Sequence, residues 1–213
     1  MVRANGIAYE YIKDRILSGE YLPAQRLIES SLSEEIGVSR NTVRKALQKL
    51  ESEKLIFLEE NKGATVASLD LPEIRQYYEI RTMLEVMVVK DAALLITDKQ
   101  LEELGDVYSL MVNYKAQKQY DEYSKCNLKF HQIIYSASSK TVAVEMIKEI
   151  KNQLRRFQIR TMLVPGRADN SLIEHKELYE ALKARDPERA AKAISTHMDH
   201  VIGTIEEYKL LFY

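Results

Sequence analysis

Apolar residues in the first third of the chain recur at three- and four-residue intervals, interrupted by short polar and glycine-bearing segments. Tyr9, Ile12 and Ile16, with polar residues between them, predict a first helix ending near Ser18-Gly19. Leu22-Pro23-Ala24-Gln25 reads as a turn in which Pro23 fixes φ. Ser31-Leu32-Ser33-Glu34 has the spacing of a capping box for a short helix that Gly37 ends. Ser39 is placed to cap a third helix carrying Val43, Leu47 and Leu50 on one face. The period then changes. Ile56-Phe57-Leu58 and Ala64-Thr65-Val66 predict two short strands around Asn61-Lys62-Gly63, a hairpin signal.

Ser68-Leu69-Asp70-Leu71-Pro72 reads as a boundary, with Pro72 suited to the first turn of the next helix. Beyond it the pattern predicts helices near 73–95, 98–116, 120–137, 140–163, 171–184 and 187–211. Thr97-Asp98, Gln119, Ser138-Ser139, Pro165-Gly166 and Asp186-Pro187 separate them. The expected organisation is residues 1–68 as one small domain, 69–72 as a linker and 73–213 as an all-helical domain. The expected fold is mainly α.

Composition agrees with this pattern. The 213 residues include seven Gly, four Pro and no Trp, few breakers for a chain of this length. With 46% apolar and 30% charged residues it is globular rather than disordered. No apolar run is long enough to span a membrane, and the start lacks the apolar core of a secretory signal. Cys126 is alone, which excludes an internal disulfide and fits a reducing cytoplasm, the expected location.

The 31 Lys and Arg against 32 Asp and Glu give no net reason to expect nucleic acid as a partner. Their distribution does. Ser39 to Leu50 holds Arg40, Arg44, Lys45 and Lys49 and no acid. A short helix, a tight turn at Gly37-Val38 and a longer helix opening on polar and basic residues form a helix-turn-helix pattern. The second helix of such a unit brings its N-terminal side chains to base edges. Ser39, Arg40, Asn41, Thr42 and Arg44 are suitable types, Arg for guanine and Asn for adenine. Lys45, Lys49 and Arg26 suit phosphates, which position the domain without reading sequence. Lys62-Gly63 at the hairpin tip could reach a minor groove. By spacing alone, a solvated basic helix face is an equal alternative.

Residues 7–67 carry Ile16-Leu17-Ser18-Gly19, Arg26-Leu27-Ile28-Glu29, Val38-Ser39-Arg40-Asn41-Thr42-Val43-Arg44-Lys45-Ala46-Leu47 and Asn61-Lys62-Gly63. Together these resemble the winged helix-turn-helix of the gluconate-repressor (GntR) family of bacterial regulators. The chain departs from the family pattern in three places. Ala24 replaces a turn glycine, Asn41 stands where Thr is frequent, and Lys54 replaces a glycine before the first wing strand. The two glycine replacements are changes that a local backbone adjustment could absorb. The resemblance implies that Arg26, Arg40, Arg44 and Gly63 lie at the DNA surface.

All four histidines fall in the second half of the chain. At 100° per residue, His131 shares a stripe with Tyr123, Phe130 and Ile134, and Asn127 lies one turn earlier on it. His175 lies with Leu172, Leu178, Tyr179 and Leu182, and His197 with Ala190, Ala193, Ile194, Val201 and Tyr208. His200 sits about 60° off the His197 direction and reads as a surface or outer-layer group. Any one of the inward imidazoles is most simply a core residue bonded to a neighbour. Three of them and an amide turned inward together point to a divalent cation.

Residues 73–213 resemble the helical effector domain called FCD, of the FadR-type subfamily. The residues that carry the resemblance are Asn127-Leu128-Lys129-Phe130-His131, Glu174-His175 through Ala181-Leu182, and Asp186 through Ala190 and on to His197. The resemblance implies one divalent metal held by Asn127, His131, His175 and His197. Asn127 stands where the pattern has Asp, so the ligand set loses a negative charge. Imidazoles suit zinc or nickel.

Arg81 is a charged residue on the apolar stripe of Ile74, Tyr78, Leu84, Val88 and Ala92. It has two readings: an internal pair with Glu85 one turn on, or a fork onto the carboxylate of a small organic acid. Arg155, Arg156 and Arg160 are further basic candidates, mostly off the apolar stripe and so expected in solvent.

These features point to a ligand-responsive, sequence-specific DNA-binding transcription regulator, a repressor by expectation, acting as a homodimer on double-stranded operator DNA. Its effector would be a small carboxylate, and no membrane role is indicated. The alternatives are a regulator that senses the metal itself and, further off, a metal-dependent hydrolase or decarboxylase. No His-Glu-x-x-His motif supports the enzyme.

Overall fold

The helical periods and the two-residue alternation separate along the chain into two compact units, residues 1–70 and residues 71–212. The computed structural model describes residues 4–59, 63–161 and 164–208, the side chains of 4, 5, 156 and 158–160 excepted. Asn61, Lys62 and the Arg156 and Arg160 side chains therefore lie outside the described residues.

In the first unit the helices are α1 (Ala4–Ser18), α2 (Glu29–Ile36) and α3 (Arg40–Ser52), and the strands are β1 (Arg26–Leu27), β2 (Ile56–Glu59) and β3 (Gly63–Val66). The sheet runs β1-β3-β2 with both pairings antiparallel, Arg26 opposite Thr65 and Ile56 opposite Val66. The apolar faces of α1 and α3 meet the sheet in a core of Ile12, Ile16, Leu32, Val43, Leu47, Leu50 and Ile56. Gly37 ends α2 in the left-handed region at φ 74°, where a side chain would be strained. Ser39 caps α3 by accepting from the Thr42 amide.

Three local expectations are corrected here. The capping box at Ser31–Glu34 does not form. The helix starts earlier, at Glu29, with extended Ile28 before it and no side-chain cap, because Ile28 continues directly out of β1. Ser33 instead donates its hydroxyl to the Val38 carbonyl, closing the turn between α2 and α3. The strand β1 was not expected. Two residues are too few to show a period, and only pairing with β3 makes them a strand.

The third correction concerns the two replaced glycines. The backbone does not adjust to Ala24 and Lys54; both stay in the left-handed region, at φ 60° and 56°. Backbone hydrogen bonds hold them there, one long-range at Ala24 and two local at Lys54. The Ala24 amide donates to the Val66 carbonyl at 3.0 Å, and the amides of Lys54 and Leu55 donate to Glu51 and Leu50 at 2.8 and 3.0 Å.

The second unit is α4 (Leu71–Leu95), α5 (Asp98–Ala116), α6 (Tyr120–Ala137), α7 (Thr141–Thr161), α8 (Arg167–Lys183) and α9 (Pro187–Glu207). Here α4 packs along α9 and α7, α5 along α6, and α8 along α9. Thr97 and Gln100 form a reciprocal capping box on α5. Asp186 caps α9, with Pro187 at its first position. The start of α8 is four residues earlier than the apolar period indicates. Arg167 in its first turn is buried against Glu174 two turns on, a contact that hydrophobic spacing does not report. No described helix is long and apolar enough to cross a membrane.

Candidate functional site

In the first unit, α3 presents Arg40, Asn41, Arg44, Lys45 and Lys49 to solvent, while Val43, Ala46, Leu47 and Leu50 anchor its other face. Arg44 is not loose. Its Nε and Nη2 fork onto both oxygens of Glu29 at 3.0 and 2.8 Å. That hydrogen bond is the main reason the Glu29 carboxyl titrates below its usual range. Ser39 and Thr42 share their hydroxyls at 2.9 Å, so they define the start of the helix. The Lys49 ammonium sits 3.6 Å from the centre of the Tyr9 ring, a cation–π contact. Arg26 is exposed on β1. Gly63 has φ 91°, and a Cβ there would come within 3.2 Å of the Leu27 carbonyl, so close strand approach requires glycine.

In the second unit, α6, α8 and α9 turn His131, His175 and His197 to one point. One nitrogen from each lies within 4.8 Å of the other two, and the ring centres are 4.9 to 5.8 Å apart. His131 Nε2 and His175 Nε2 are 3.2 Å apart.

The outer nitrogens show how the rings are oriented. His175 Nδ1 donates to the Ser171 carbonyl at 2.6 Å, and His197 Nδ1 donates to Glu174 Oε2 at 2.6 Å. Each of these rings therefore carries its proton on Nδ1 and turns the Nε2 lone pair inward.

The imidazoles are held uncharged. Burial, then neighbouring Lys151 and His175, puts His131 well below the usual histidine range. Burial, with His197 beside it, holds His175 at about 3. Burial also lowers His197, against the opposing pull of Glu174. Burial alone would raise the Glu174 carboxyl, but the bond from His197 and the Arg167 guanidinium outweigh it and hold the group at about 2. Arg167 forks onto Glu174 at 3.1 and 2.9 Å, and half-exposed His200 adds a bond to Oε1 at 2.7 Å.

Asn127 lines the same chamber from α6. Its Oδ1 is buried with no hydrogen-bond partner among the described residues. An unsatisfied buried acceptor costs about 1–3 kcal/mol. An orphaned buried oxygen on the lining that His131 and His197 share is chemically suited to a cation, so the donor set fits a divalent metal. Two imidazole nitrogens on one tetrahedral zinc at about 2.0–2.1 Å lie roughly 3.3 Å apart, close to the observed separation of the His131 and His175 nitrogens.

The chamber opens into a cavity of about 380 Å³ that Arg81, Tyr135, Lys151 and Arg155 also line. Arg81 is only 3% exposed and donates from Nε to Glu85 Oε1 at 3.1 Å, so the internal pair does form. Tyr135 donates to the same oxygen at 2.7 Å. Arg155 is exposed at the lining. Sequence reasoning named Glu174 only beside His175, without a role, and did not single out Arg167 or Lys151. A signal existed for each. Arg167 and Glu174 are seven apart on one helix face, and Lys151 falls within the apolar stripe of Ile147, Ile150 and Leu154.

Residues 6–66 match the family model described as "Bacterial regulatory proteins, gntR family", and residues 76–200 match the FCD domain. The gluconate operon transcriptional repressor of Bacillus licheniformis is 28% identical over 92% of this chain and 82% of its own length. The uncharacterized HTH-type transcriptional regulator YdhC of Bacillus subtilis is 26% identical over 90% of this chain and 86% of its own. Among solved structures, Escherichia coli McbR/YncC has the same fold. It superposes with a TM-score of 0.78 at 24% identity, covering 98% of this chain and all of the other.

Proposed function

Since this chain belongs to the GntR family of bacterial regulatory proteins and carries an FCD domain, making it a DNA-binding transcription regulator rather than an enzyme, we propose that its second unit binds a divalent metal together with a small organic acid. Asn127, His131, His175 and His197 hold the metal, zinc or nickel by their chemistry. Arg81, on the wall of the same cavity, receives the acid's carboxylate. The metal supplies a positive centre for an anionic oxygen. The chain's own residues orient it: Ser171 and Glu174 set the ring tautomers, and Arg167 keeps Glu174 ionised.

The observation that carries this reading is the pair of outward Nδ1–H bonds. They leave the Nε2 lone pairs of His175 and His197 facing His131. The cavity favours an acid effector over the metal alone as the signal, because small-molecule sites begin at roughly 300 Å³ and a bare cation needs far less.

In the DNA-binding unit, Arg40, Asn41 and Arg44 read bases, with Ser39 and Thr42 at the start of the helix, and Lys45, Lys49, Arg26 and Gly63 lie along the backbone. The working unit is a homodimer, since one recognition helix covers only a few base pairs. The outer side of α4 carries exposed Ile80, Met83 and Met87, and α7, packed beside it, carries Val142 and Met146. Covering this apolar surface favours a second copy. The effector acts by favouring one arrangement of the dimer, and a coupling of ~1–3 kcal/mol suffices for regulation.

Native mass spectrometry and zinc titration test the metal. One ion per chain is expected, lost in His131→Ala and His175→Ala. A chelator-treated protein that takes up no zinc or nickel overturns the metal half of the reading.

A further inference from the structure

The cavity lining holds more cations than its carboxylates balance, exposed Arg155 at the lining among them. Arg167 is neutralised by Glu174, and Arg81 by Glu85. Lys151 is not. Among the described residues no carboxylate lies within ion-pair distance of its ammonium, which sits 5.3 Å from the centre of the Tyr135 ring. Burial, with Arg81 nearby, lowers its pKa to about 8 against a partial pull from Glu85. An anion beside this ammonium would recover the cost of its desolvation. The metal ligands have the same bias. Three neutral imidazoles and the Asn127 amide bring no negative charge to a divalent ion.

The geometry points to an effector with two anionic groups, one held at the metal and Arg81 and the second by Lys151. Ser124, Gln132 and Asn152, also on the cavity lining, can bond hydroxyl or carbonyl groups between the two ends. This inference rests on the metal and acid reading above. It adds the class of acid and a residue with no part in holding the metal.

The test compares acids of matched length, propionate, butyrate and valerate against malonate, succinate and glutarate, by calorimetry on zinc-loaded protein. At least one dicarboxylate is expected to bind tenfold or more tighter than its monocarboxylate partner. Lys151→Met should remove that preference while leaving monocarboxylate affinity within twofold, and Lys151→Arg should keep most of it. A melting temperature for each variant establishes that it is folded. Equal affinity for the two series overturns the proposal, as does a preference that survives in Lys151→Met, or no binding by any of the six acids. Zinc uptake is measured separately. If zinc binds and the preference is missing, the dianion proposal fails alone. If no zinc binds but Lys151 still selects dicarboxylates, the metal reading fails alone.

Discussion

His197 and Arg167 meet the same carboxylate: Glu174 accepts from the histidine at 2.6 Å and from both terminal nitrogens of the arginine. A side chain that contacts no effector thereby controls a ring that faces the chamber. Groups that orient metal-binding histidines are worth about 10–100-fold in metal affinity. Glu174→Gln should weaken zinc binding by that order while leaving one site per chain, as read by calorimetry. It should also lower the melting temperature, because buried Arg167 loses its counter-charge.

Acid should unfold the metal-free protein earlier than its net charge implies. In the unfolded chain the histidines protonate near pH 6.5, whereas His175 resists until about 3 and His131 lies well below the usual range. Stability is therefore full above about pH 6.5 and is lost as the pH falls toward the folded values. Glu174, held at about 2, adds a loss of the same sign below about pH 4.5. Thermal melts in chelator from pH 8 to pH 4 should show a falling midpoint beginning near pH 6.5. A flat profile across that range would contradict the burial of neutral imidazoles.

Ala24 and Lys54 hold a left-handed backbone without being glycine. That conformation costs a side-chain-bearing residue about 1–2 kcal/mol, against roughly 0.5–1 kcal/mol of extra chain entropy lost by glycine. Ala24→Gly and Lys54→Gly should each raise stability by about 0.5–1 kcal/mol. Urea denaturation midpoints would register the gain without a change in slope.

Arg44 is oriented by Glu29 along one edge of its guanidinium, through Nε and Nη2. Arg44→Ala should weaken operator binding by about 1–3 kcal/mol and relax discrimination at one base pair. Lys45→Ala should instead weaken all duplexes alike and reduce the salt dependence by about one phosphate contact. Fluorescence anisotropy with operator and scrambled duplexes at several salt concentrations separates the two.

Met83 is 72% exposed on α4 and Val142 74% exposed on α7, large apolar groups left to water in a single copy. If these helices form the dimer contact, Met83→Lys and Val142→Lys should shift the protein to monomer in light scattering. Operator affinity should fall with them.

Much of this fold was legible because helical periods are local. The stripe of Tyr123, Asn127, Phe130 and His131 needs only its own helix to appear, and so do the stripes through His175 and His197. Gly37 and Ser39 likewise announce the turn before α3 through their own backbone chemistry. Strand β1 was illegible, since its two residues have no period and become a strand only beside β3.

What the chain order by itself determined is therefore which faces turn inward and most helix ends, save the starts of α2, α4 and α8 and the end of α9. The tertiary structure alone decided which nitrogen of each imidazole carries the proton, because that depends on acceptors such as Ser171 and Glu174. It also decided that no described carboxylate pairs with Lys151, and that Ala24 must remain left-handed to reach the Val66 carbonyl. Hydrophobic spacing records burial one helix at a time, whereas the meeting of three imidazoles and the strain at Ala24 arise where elements distant in sequence come together.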